Sequence, residues 1–175
     1  MSKNYIVGNA EDVELMNGLM SSNYPELIEN GVNVGLFYVV KVDKDGEVQN
    51  EACLKKDGRT CSGKISLISD LNRMTDSFDA KIVLDLNIWQ RLSLEEKNAL
   101  LDHELYHLYI VKNPKTGEVV TISDESSKVK LKLKKHDVVM WGFHDIIVRH
   151  GFGSQELQVL NGISECYKDY LVKSV

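Results

Sequence analysis

The segment LLDHELYHL, Leu100 to Leu108, places two histidines four residues apart, with a glutamate directly after the first. On an α-helix four residues rise about 6 Å and turn through only about 40° from the starting azimuth. His103 and His107 therefore project from one face and can share a single ion. Glu104 lies about 100° round from His103. It is badly placed as a first ligand and well placed to reach a water held by the metal. That is the general-base position of H-E-x-x-H hydrolases. The chemistry on offer is hydrolysis: zinc lowers the pKa of its water to about 7, and a carboxylate takes the proton. The plain alternative is an ordinary helix with a solvated histidine face.

Neighbouring elements decide whether the pair is held for such work. Ser93 and Glu96 form a capping box, so a helix is expected to start there and run to about residue 111. Leu94, Leu101, Leu105 and Leu108 make an apolar strip on it, and Ala99, Leu100 and Ile110 flank the histidine face. A half-covered imidazole pair without partners is costly, and a metal satisfies both rings at once. Upstream, AKIVLDLNIW (80–89) alternates Ile82, Leu84 and Leu86 with Val83, Asp85 and Asn87, which predicts a strand with one wet face. Such a strand is the expected seat of an extended substrate over 80–86.

A hydrolytic zinc needs a third protein ligand and an open position. All five histidines fall between 103 and 150. The short H-E-x-x-H-x-x-G-x-x-H extension is missing, so the ligand must come from a later element. His136 stands at the joint between the strand KVKLKLKK (128–135) and a helix expected over 136–151, where both flanks fix its direction. Asp137 is a helix cap, a partner orienting a histidine, or itself the ligand. His144 is the next candidate. His150, before Gly151, suits a helix C-terminus. Tyr106, His144 and His150 are the candidates for stabilising an oxyanion.

The rest of the chain predicts a helix over 11–29 broken at Pro25, strands near 32–42, 48–56 and 65–71, and a last amphipathic helix over 154–173. The lysines at 128, 130, 132, 134 and 135 read as the wet face of an edge strand. A length of 175 residues fits one domain, 1–175, and 43% hydrophobic with 27% charged residues fits a folded protein. A net charge of −5 argues against broad capture of nucleic-acid backbone, and no apolar run is long enough to span a membrane. Cys53, Cys61 and Cys166 form no C-x-x-C pair and read as reduced thiols. With no secretory pattern at the start, a cytoplasmic protein is expected.

LSLEEKNALLDHELYHL, the lysine-rich strand and HDVVMWGFHDIIVRHG together resemble the putative phage metallopeptidase family, over about residues 63–151. The resemblance implies an α+β, zincin-like domain, a small mixed or antiparallel sheet packed against an active-site helix. It implies His103, His107 and His136 as ligands of one zinc ion and Glu104 as the catalytic acid/base. It also implies a protein or peptide substrate, with proteins of a bacterial host among the candidates, and host cytoplasm if the chain is phage-encoded. The rival is a zinc-stabilised, non-catalytic phage protein that binds and inhibits a host protein.

Overall fold

The computed structural model describes residues 2–56, 58–123, 127–136 and 143–162. Its elements in order are β1 (Ser2–Val7), α1 (Ala10–Asn23), α2 (Pro25–Glu29), β2 (Val34–Val42), β3 (Val48–Gln49), β4 (Lys55–Lys56), β5 (Arg59–Thr60), β6 (Gly63–Leu67), α3 (Asp70–Arg73), β7 (Ala80–Asp85), α4 (Leu86–Trp89), α5 (Leu94–Tyr106), β8 (Leu108–Ile110), β9 (Leu131–Leu133) and α6 (His144–His150). A helical stretch follows over 155–162. The architecture is mixed α+β, with a small mixed sheet and several helices.

The sheet runs β1-β2-β7-β6, with β3 pairing the end of β2. β2 and β7 are parallel; the outer pairs are antiparallel. Alternation along the central strands sends Leu36, Ile82 and Leu84 to one face, where α1 and α5 supply Met16, Met20, Leu101 and Leu105. The other face carries Val39 and Val83 under Cys53 and Leu54.

That second cover corrects the expectation of a wet face on β7. Val83 is 4% exposed and Asp85 is fully buried. Asp85 is buried at low cost because its carboxylate accepts from the Cys53 and Leu54 N–H groups at 2.6 and 2.9 Å. β7 also lacks a free edge, since β2 and β6 flank it, so it cannot seat an added strand. The edge on the helix side is β6. Its Ser62, Lys64, Ser66 and Ile68 positions pair with β7, so the N–H and C=O groups of Gly63, Ile65 and Leu67 face outward.

Pro25 divides the first helix as expected, and Ser93 with Glu96 forms the capping box of α5. α5 ends at Tyr106, well short of 111, because Leu108–Ile110 turn into β8 and pair with β9. The strand expected over 128–135 is regular only over 131–133. Leu94 does not join the buried strip; it is 65% exposed. The strand at 2–7 had no sequence expectation, and the one expected over 48–56 survives only as β3 and β4. Among the described residues no helix is long and apolar enough to cross a membrane.

Candidate metal centre

α5 carries His103 near its last turn and His107 at its C-cap. What aims them is the junction with β8 and β9. His107 and Lys134 face each other one step beyond the β8–β9 ladder: Lys134 N–H donates to His107 O at 2.6 Å, and His107 Nδ1 donates to Lys134 O at 2.7 Å. The second bond fixes the His107 tautomer and leaves Nε2 free. The same strand delivers His136 two residues later. His103 Nε2 and His136 Nε2 stand 3.1 Å apart, and one ligand atom from each of the three histidines lies within 4.8 Å of the others. Two nitrogens at opposite corners of a tetrahedral zinc shell sit about 3.3 Å apart, so the spacing fits one ion. The donor chemistry fits too, because three converging imidazoles suit zinc and similar divalent metals.

Phe143, 2% exposed, packs against all three rings at centroid distances of 4.8–5.2 Å. Glu156, from the last helical stretch, lies with Oε1 2.5 Å from His103 Nδ1 and also accepts from Phe143 N–H at 3.4 Å. This carboxylate orients His103 as Lys134 O orients His107. Burial alone would raise the Glu156 carboxyl, but the His103 contact and backbone hydrogen bonds, Phe143 N–H among them, together hold it below its ordinary value. Sequence reasoning missed Glu156. Its only trace is an acidic residue at a half-buried helical position, a signal too common to act on.

A family model described as Putative phage metallopeptidase matches residues 10–167. The chain belongs to this family. The match takes in α1 and runs past Gly151, well beyond the 63–151 stretch that carried the resemblance. No curated protein and no solved structure matches the chain significantly. Membership in a metallopeptidase family supports a bound metal ion and a protein or peptide substrate.

Within this family member, Glu104 occupies a distinct environment. It is 5% exposed and its side chain lies against β6. Burial pushes its carboxyl up, against the pull of His103, Lys56 and a backbone hydrogen bond with Ile65. Gly63 makes that approach possible: a Cβ there would meet Leu84 Cδ2 at 2.9 Å and Glu104 Oε1 at 3.2 Å. Burial likewise lowers His107 to about 4, with the neighbouring histidines adding to it, so the ring is neutral near pH 7. A neutral imidazole is the form that binds metal.

A cavity of about 300 Å³ opens over His103, Glu104, His107 and His136, bounded by Thr60–Gly63 and by Gln155, Glu156 and Val159. The other candidates lie elsewhere. His144 has a 70% exposed side chain beside Asp145. Tyr106 donates to Asp145 at 2.5 Å, and His150 Nε2 sits 2.6 Å from Asp102. None of these three lines the cavity. Asp137 and Cys166 lie outside the described residues, as does the helix expected beyond 162. Cys53 and Cys61 are free thiols.

Proposed function

We propose that the chain is a zinc-dependent peptidase with His103, His107 and His136 as metal ligands and Glu104 as general base. The supporting observation is the coincidence of three convergent imidazoles and one buried, cation-poor carboxylate in the same cavity. A bound zinc ion supplies Lewis acidity, lowering the pKa of water to about 7 and polarising the scissile carbonyl. Glu104 takes the proton of the attacking water and hands it to the leaving amine. Its raised proton affinity suits both halves of that transfer, since a base must be able to hold the proton it removes. Glu156 and Lys134 O hold the two helix-borne rings in the tautomer that presents Nε2. The outward edge of β6, apart from the Ile65 N–H that bonds Glu104, is the seat for an extended peptide, replacing the 80–86 strand in that role.

A non-catalytic, zinc-stabilised inhibitor of a host protein remains the rival. Nothing in a purely structural metal site calls for a glutamate in the position of Glu104. Purified wild-type and Glu104→Gln proteins, both zinc-loaded, are to be compared on a broad peptide library. Cleavage by the wild type alone, abolished by chelation, is the expected result. Equal cleavage by both contradicts the role of Glu104, and cleavage by neither favours the rival.

A further inference from the structure

Two cavities flank the histidine trio, and they differ in charge. The one described above contains Glu104 and Glu156. The second, of about 370 Å³, is walled by Lys56, Ile65, His107, Leu133, Lys134 and Lys135, with His136 at its edge. Three of its described walls are lysines and none is a carboxylate.

We propose that this second cavity receives an acidic side chain of the substrate, so that the protein acts on peptides bearing a carboxylate next to the scissile bond. The proposal rests on the peptidase reading and names its substrate class. Lys56 borders both cavities, on the β4–β5 hairpin. The segment leading into that hairpin is pinned at Cys53 and Leu54 by the Asp85 carboxylate, which fixes where the lysine emerges. Lys134 is fixed through its backbone pair with His107, and its ammonium lies 4.0 Å from the Tyr106 ring centroid. Asp145 also acts on that ammonium, so Lys134 is partly committed. Lys56 acts on Glu104 in the same way, but among the described residues no carboxylate comes within ion-pair distance of Lys56 or Lys135. Ile65 and Leu133 add apolar wall, which strengthens attraction between an entering carboxylate and the lysines. Glu104 and Glu156 disfavour the same group on the other side. The asymmetry therefore sets the direction in which an acid-bearing peptide lies. A net charge of −5 makes a nucleic-acid strand the poorer occupant.

The test uses zinc-loaded Glu104→Gln protein and fluorescent peptides in matched pairs, glutamate against glutamine at each position. Binding is read by anisotropy, and wild-type cleavage of the same pairs is read separately. At one position the glutamate peptide is expected to bind about tenfold more tightly, the size of one charge-assisted contact. That preference should vanish in Lys56→Ala/Lys135→Ala and reverse towards a lysine peptide in Lys135→Glu. Equal binding of the pairs, no binding at all, or a preference unchanged by the lysine variants overturns the proposal. Displacement by a single-stranded oligonucleotide as effective as by the glutamate peptide also overturns it. A retained glutamate preference without wild-type cleavage upholds the subsite and contradicts the peptidase reading.

Discussion

Asp102 and Glu104 stand two residues apart on α5, both buried, and their surroundings treat them in opposite ways. Asp102 accepts from Tyr24 at 2.5 Å, Asn23 and Arg149 at 3.2 Å, and lies 2.6 Å from His150 Nε2. Burial would raise its carboxyl, but these partners together hold it below its ordinary value. Among the described residues Glu104 has no cation in ion-pair contact, and burial wins. Two residues turn a helix through about 200°, so the acids face opposite sides. One side is a fully bonded knot joining α1, α5 and α6. The other is a carboxylate kept poised beside three imidazoles. A buried charge whose demands are met stabilises the fold; one whose demands are left partly unmet is available for chemistry.

The largest expected effect separates the two acids by function. Glu104→Gln should lower peptide hydrolysis by about 10²- to 10⁴-fold, the usual contribution of a general base, while the metal stays bound. Removing an underpaired buried charge should leave the melting temperature unchanged or slightly higher. A marked fall in stability would place Glu104 with Asp102 as a structural acid.

Asp102→Asn should do the reverse. It leaves Arg149 and His150 without their counter-charge, but Arg149 is exposed to water, so the expected loss is about 1–3 kcal/mol. Denaturant unfolding measures this, with the turnover of the remaining folded protein falling far less than in Glu104→Gln. Equal loss of activity in the two variants would erase the distinction between the faces.

Much of one face was legible in the sequence and little of the other. His103, Glu104 and His107 announce themselves because a helical period converts spacing directly into direction. The capping box at Ser93 and Glu96 is equally local. His136 could be shortlisted only as a residue at a joint, because its approach depends on β8 pairing with β9 across about twenty residues. Glu156 and the Asp102 partners are long-range contacts between side chains of common types, and no periodicity marks them. The helix was read too long at its C-terminus because Leu108 and Ile110 continue an apolar pattern that suits a strand as well as a helix. The lysines of 128–135 read as solvent-facing, and Lys130, Lys132 and Lys135 are exposed. Lys128 instead bonds Asp79, and the Lys134 ammonium lies over the Tyr106 ring.

Glu156→Gln sharpens the comparison from a third position, a carboxylate that serves a histidine. Loss of its negative charge should weaken zinc binding by about 10- to 100-fold, as for other residues that orient metal-bound histidines, with little change in metal-free stability. Competition with a chromophoric chelator reads the affinity. An unaltered affinity would reduce the Glu156–His103 contact to packing.

A further test is one of pH. Asp79, like Asp102, is a satisfied acid: burial pushes it up, but the Asn33 backbone, Lys128 and Arg73 together hold it below its ordinary value of 3.8. Its contribution is therefore complete above that value and is lost as pH falls through the lower, folded-state pKa, where the unfolded chain binds the proton first. Asp79→Asn should lower stability at neutral pH and flatten the acid limb of the stability profile. An acid limb as steep as that of the wild type would show that Asp79 is not held low.

The most direct test of the central claim is zinc content after dialysis against metal-free buffer, measured by elemental analysis of wild type and of His103→Ala, His107→Ala and His136→Ala. One zinc per wild-type chain, and little or none in each variant, is the expected result. Wild-type protein holding no more zinc than the variants would contradict the assignment of these three histidines as a metal centre.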